Sequence, residues 1–347
     1  MIVRTLAAVA LVASALSPPA GAPGISPGRL AAATVSPQAL ADARHQIDRL
    51  AEAANAEVSV VWRPLDARPG EELLIGPTVR YHAASTMKVP VMIELYRQAH
   101  DGLLTLDDEV LVTNTFHSIV DGSPYELSAS EDSDGETYKA IGKPLSLRTL
   151  CETMITASGN LAANVLVERL GAKNIQATVD RLGAGGMQVL RGVEDLKAFD
   201  KQMNNTTDAA GLATLFERLA RGEAVSRDAS AEMIGILKRQ KHNEGIPAGL
   251  PAGIEVAHKT GEITKIHHDA GVVYAKRPYV LVVLTRGIDD QAASGKLIAE
   301  VSRVLYSLTD FTPASRAGQD PPASRAEPAA TPPRARLSQR HPTPAPS

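Results

Sequence analysis

Ser85-Thr86-Met87-Lys88 sets a hydroxyl and an amine three residues apart at the start of an apolar run. On a helix that spacing puts both on one face, one turn apart. A hydroxyl is a poor nucleophile at neutral pH unless a base sits beside it. A lysine serves as that base when burial or a second cation pulls its pKa down. Ser and Lys are common residues, so the tetrad gains its weight from two later segments, Ser158-Gly159-Asn160 and Lys259-Thr260-Gly261. Brought together, the three can run acyl transfer. Ser85 attacks, Lys88 takes its proton, and Ser158 passes a proton to a leaving nitrogen. Asn160 meets a substrate amide. Lys259 adds positive charge near both serines, lowering the Lys88 pKa and attracting a substrate carboxylate. Thr260 donates to the same carboxylate. Gly261 has no side chain, so a substrate can lie along its strand. The backbone N–H groups of Ser85 and Glu262 are the expected oxyanion donors, each typically worth about a hundred- to a thousandfold in rate.

The three segments, in this order, resemble those of the class A β-lactamases and related penicillin-binding proteins. The likeness extends beyond the motifs, to His82–Tyr96, to Ser158–Leu166 and to His258–Gly261 with Asp269–Val273, and covers roughly Ser36 to Phe311. It implies an exported serine hydrolase that opens a β-lactam ring through an acyl-enzyme on Ser85, with a place in β-lactam catabolism and antibiotic resistance. It implies neither a cofactor nor a metal. The same scaffold also serves DD-peptidases and other amide or ester hydrolases acting on peptidoglycan-like substrates, and sensors that are acylated without turning over. Two departures stand out. The family's second motif is usually Ser-Asp-Asn, and here Gly159 replaces the Asp, which is expected to loosen that wall. The family also carries a deacylating Glu followed four residues later by Asn. The corresponding stretch, Arg191 to Ala198, holds Glu194 as its one Glu, with Ala at position 198. Glu194 is the candidate deacylation base, set against a solvated loop carboxylate or a partner for Arg191. A poorly held water would slow deacylation and leave acylation intact.

The elements that must position these groups are legible in outline. Ser36-Pro37 reads as an N-cap followed by proline at the first helical position, opening a helix through Leu40, Ile47 and Leu50. Val58–Trp62 is short and β-branched, hence a strand, with Leu73–Ile75 as its partner. Val89–Gln98 continues a helix from Ser85, and Pro90 falls in its early turns. Leu145–Ile155 and Leu161–Leu170 read as helices, the second closed by Gly171. Glu255–Thr260, Ala270–Ala275 and Tyr279–Thr285 read as strands, and a final amphipathic helix covers about Gln291–Leu308. The expected fold is therefore α+β: an antiparallel five-stranded sheet formed by the N- and C-terminal segments, flanked by helices, with a mostly helical second lobe and a cleft between. Asn114–Lys143 is too long for an ordinary connection and reads as an inserted flap or functional loop. Its acidic run, Glu131 to Glu136, fails calcium-loop spacing and is expected to be a solvated loop.

Composition narrows the classes further. The 347-residue chain has a net charge of −3 and 3% aromatics, which excludes an electrostatic or stacking platform for nucleic acid. Its one cysteine, Cys151, allows neither an internal disulfide nor a cysteine-based metal site, and its apolar setting reads as core. His258, His267 and His268 lack ligand spacing and are expected to be structural. Residues 1–22 read as an export signal, with Arg4, an apolar Leu6–Leu16 and small residues at Ala20–Ala22. That run is too short to span a bilayer. Residues 23–35 read as a linker, 36–311 as the hydrolase domain and 312–347 as a Pro/Ala/Arg-rich disordered tail. A periplasmic or secreted monomer acting on a small molecule is expected.

Overall fold

The computed structural model describes residues 34–309. The expected signal and tail, and all but the last two residues of the expected linker, lie outside that range. Five strands build the main sheet: β1 (Glu57–Pro64), β2 (Leu73–Ile75), β3 (Val256–Ile263), β4 (Ile266–Val273) and β5 (Tyr279–Arg286). Their spatial order is β2-β1-β5-β4-β3, with every neighbouring pair antiparallel. The N-terminal strands thus join the C-terminal ones through β1 and β5, from Glu57 opposite Arg286 to Pro64 opposite Tyr279.

Alternation along the strands divides the core. Val60, Trp62, Tyr279, Leu281 and Val283 face one side, with Ile47 of the first helix and Leu297, Ile298 and Val301 of the last. Val61, Val280, Val282 and Leu284 face the other, with the helical lobe. The first helix, Pro37–Ala53, begins as expected, the Ser36 hydroxyl accepting from the Ala39 amide and proline opening the helix. The last, Gln291–Tyr306, is capped by Asp290.

In the helical lobe the central element is Lys88–His100. Val89, Val91, Met92, Ile93 and Leu95 are all buried, the mark of a helix with apolar neighbours on every side. Glu94 is buried with them and satisfied, accepting from Arg97, Gln98 and the Thr178 hydroxyl. Cys151 is buried in the Leu147–Thr156 helix, as expected, and burial pushes its thiol pKa up.

The structure differs from expectation in three places. Ser85 lies not on the α-helix but in a 3-10 turn, Ala84–Met87, which runs into it at Lys88. β3 reaches Ile263 and β4 begins at Ile266, so the hairpin is longer than its apolar residues suggest. Polar His267, His268 and Asp269 are buried at the start of β4, which hides it from a reading based on hydrophobic runs. The Asn114–Lys143 segment has structure of its own. Phe116–His117 pairs with Pro124–Tyr125, and a short helix covers Gly135–Lys139.

Candidate active site

Four elements deliver the site. The 3-10 turn presents Ser85, partly exposed, and the first residue of the following helix, Lys88, fully buried. Ala84 takes a positive φ of 46° to start that turn, a conformation a non-glycine residue adopts only where its surroundings impose it. Strand β3 lies against the turn. A Cβ on Gly261 would stand 3.0 Å from the Thr86 amide nitrogen and 3.1 Å from that of Ser85, so a side chain there would press the turn back and glycine allows the close approach. The third element is the turn before the Asn160–Leu170 helix, where Ser158 sits at φ 59°. The fourth is the 191–205 loop.

All five of the side chains expected in the acylating group converge. Lys88 Nζ donates to Ser85 Oγ at 2.9 Å, to the Ser158 carbonyl at 2.7 Å, to Asn160 Oδ1 at 2.7 Å and, longer, to Ser158 Oγ at 3.3 Å. Lys259 Nζ donates to Ser158 Oγ at 3.0 Å and to the Thr260 carbonyl at 2.8 Å. Ser158 thus stands between two amines. Burial pulls the Lys88 ammonium down to about 7, against the carboxylates of Asp132 and Glu194, which favour its charged form. Lys259 is held well below its ordinary value by burial first and by Lys88 second. Of the two causes the sequence offered for Lys88, burial and a second cation, dehydration of the amine is the main one.

Asn160 was expected to meet a substrate amide. In the structure its side chain bridges two protein groups: Oδ1 accepts from Lys88, and Nδ2 donates to Glu194 Oε1 at 2.8 Å. Glu194 therefore belongs to the same network, at φ 63° and half-buried. Its carboxyl is raised, chiefly by burial; the Asn160 bond lowers it, Asp132 and Glu131 raise it, and Lys88 lowers it. Arg191 is not its partner. That guanidinium donates to the Met203 and Gly192 carbonyls and to Asn204 Oδ1.

The loop carrying Glu194 is pinned by residues the sequence did not single out. Asp195 caps the short Leu196–Asp200 helix through the Ala198 amide, and also accepts from the Ser118 hydroxyl at 2.9 Å and the Ile119 amide at 3.0 Å. Asn164 accepts from the Val193 amide at 2.6 Å and donates to its carbonyl at 3.0 Å. Ala198 is fully buried, and its methyl group offers the network no hydrogen bond. The acidic run is not the solvated loop expected of it. Asp134 is buried and caps the Gly135–Lys139 helix, while Asp132 accepts from the Asn160 and Leu161 amides. The wall opposite Gly159 is braced rather than loosened.

Two cavities meet at Ser85. One of about 640 Å³ runs past Ser158, Asn160, Thr260 and Gly261 along the edge of β3 to Glu262. The other, about 290 Å³, is walled by Val193, Leu196, Phe199 and Ile263, with Glu194 at its side. The three histidines have protein partners. His258 pairs with Asp269 at 2.8 Å, His267 Nδ1 lies 2.9 Å from the Ser294 hydroxyl, and His268 lies 3.0 Å from the His82 carbonyl. No helix among the described residues is long and apolar enough to cross a membrane.

A mixed α+β scaffold brings a serine and two dehydrated lysines into one cleft, the arrangement a serine hydrolase needs. Comparison with known proteins agrees. The model of the beta-lactamase enzyme family matches residues 42–309, and the chain belongs to that family. A β-lactamase of Streptomyces albus G is 30% identical over 49% of this chain and 57% of its own length, so the match spans little over half of that relative. A β-lactamase of Bacillus amyloliquefaciens is 27% identical over 69% of this chain and 76% of its own. Among solved structures, an acyl-enzyme complex of a PBP-A mutant with penicillin G is 27% identical, with a TM-score of 0.64, covering 77% of this chain and 96% of that one.

Proposed function

We propose that this protein is an exported serine hydrolase that opens β-lactam rings through an acyl-enzyme on Ser85, contributing to β-lactam catabolism and resistance. The observation that carries the reading is the chain of contacts Ser85–Lys88–Ser158–Lys259. With its pKa near 7, a large share of Lys88 is the free amine at neutral pH. It takes the Ser85 proton as Oγ bonds to the lactam carbonyl carbon. The backbone N–H groups of Ser85 and Glu262 stabilise the oxyanion. When the C–N bond breaks, Ser158 gives its proton to the departing nitrogen and is reprotonated by a neighbouring amine. The substrate carboxylate lies towards Thr260 and Lys259, and the acyl side chain lies in the apolar cavity beside Phe199. In the second half, Glu194 accepts a proton from water as that water attacks the ester. As the ester C–O bond breaks, Ser85 Oγ takes a proton back from Lys88, Glu194's proton restores the balance, and the ring-opened acid leaves. No metal or cofactor takes part.

Deacylation is the slower half. Position 198 offers no amide to help Glu194 hold the water, and the Asn160 side chain already occupies one carboxylate oxygen. The same observation favours a second reading, a protein acylated by β-lactams as a sensor without useful turnover. Purified protein mixed with a chromogenic cephalosporin, with S85A beside it, separates the two. Turnover lost in S85A supports the hydrolase. A stable adduct on Ser85 without turnover supports the sensor. Neither turnover nor adduct refutes both.

A further inference from the structure

The Asn160–Leu170 helix begins without a capping side chain, because its N-cap residue is Gly159. The first amides of any helix lack partners within it and attract negative charge. Here the missing acceptor comes from elsewhere in the chain. Asp132 Oδ1 lies 3.0 Å from the Asn160 amide, and Oδ2 lies 2.9 Å from the amides of both Asn160 and Leu161. The space a side chain at 159 would need is also taken. A Cβ there would stand 3.1 Å from Asp134 Cβ and Oδ2 and 3.3 Å from Thr153 Cγ2.

We propose that Asp132 is the positioning residue of the Ser158–Asn160 wall, supplied by the Asn114–Lys143 segment in place of the side chain that Gly159 lacks. One carboxylate fixes the Asn160 backbone, and Asn160 in turn holds Lys88 through Oδ1 and Glu194 through Nδ2. Two residues earlier, Ser158 keeps its left-handed backbone, and its carbonyl accepts from Lys88. Asp132 also acts through charge. The charged groups that face Lys88 are Asp132 and Glu194, with Lys259 across Ser158. Around Asp132 itself stand Asp134, which donates its backbone amide to Oδ1, and the Tyr138 phenol. Removing the Asp132 charge leaves Lys88 with one carboxylate fewer, so its amine stays free to lower pH.

The proposal uses the proposed function only to name the nucleophile, and its test is chosen to be independent of the β-lactam. A fluorophosphonate probe modifies an activated serine whatever its natural substrate. Its rate of reaction with Ser85 is followed against pH, by intact mass, for the wild type, D132A and D132N. In D132A the plateau rate is expected to fall about ten- to a hundredfold, as a displaced reacting group predicts. In D132N the amide oxygen still caps the helix, so its plateau lies about tenfold above that of D132A. In both, the acidic limb moves to lower pH by about half a unit. A D132A plateau equal to wild type overturns the proposal. So does an equal fall in both variants with the limb unmoved, because Asp132 would then act through folding alone. Probe labelling that follows this pattern while β-lactams give neither adduct nor turnover would refute the proposed function and leave this assignment standing.

Discussion

The two halves of the cleft are built differently. Ser85, Lys88, Ser158 and Lys259 come from a 3-10 turn, a buried helix, a helix entrance and the edge strand β3, and each amine is fully buried. Glu194 comes from a loop, its own backbone left-handed, with exposed neighbours, Leu196 and Phe199. The first half is held mostly by packing, which leaves side chains little freedom, with Asp132 fixing the helix entrance after Ser158. The second is held by hydrogen bonds from the Asn114–Lys143 segment and Asn164. The difference teaches where the chemistry is robust. On the proposed mechanism, forming the ester draws on the packed side and on Asp132, while clearing it draws on the loop of Glu194 and its alanine at 198.

That contrast can be broken most forcefully at Ser85. S85A is expected to lower adduct formation and turnover by roughly 10⁴-fold or more, measured by intact mass and cephalosporin hydrolysis. K88M removes the base while keeping bulk, and should slow acylation by about 10²- to 10⁴-fold. E194Q sharpens the comparison: adduct formation stays within about threefold, while clearance slows by about a hundredfold. Equal losses in both steps would merge the two halves.

Acidity separates the halves more gently. Lys88 acts as a base only when unprotonated. With its pKa at about 7, acylation should hold level above that pH and fall about tenfold per unit below it. A limb near pH 4 instead would assign the base role to a carboxylate. The smallest effect is expected at D195A, which loses the bonds to Ser118, Ile119 and Ala198. It should cost about 1–2 kcal/mol of stability by denaturant titration and slow clearance more than acylation.

The legible parts of the molecule were those in which chemistry or packing demands particular residues close together in sequence. Ser85-x-x-Lys88 and Lys259-Thr260-Gly261 are such cases, and Ser36-Pro37 began its helix as read. The five-stranded sheet was also legible, because β1, β2 and β5 carry apolar cores. The full lengths of β3 and β4 were not, since β4 opens, after Ile266, on His267, His268 and Asp269, polar residues buried against protein partners, and β3 runs past Thr260 through Gly261 and Glu262. Asp132 was hidden for a different reason. Its partners, Asn160 and Leu161, lie 28 and 29 residues away, and a run of acids in a long segment reads as solvated until the fold brings amides to it. The clue available was Gly159 itself, a helix entrance with no acceptor of its own.

The central claim, fast acylation of Ser85 followed by slower release, is tested most directly by rapid mixing with a chromogenic cephalosporin at pH well above 7. The account predicts a burst of about one product equivalent per protein molecule, followed by a slower linear phase, with both absent in S85A. Linear hydrolysis without a burst, or a burst that persists in S85A, would contradict it.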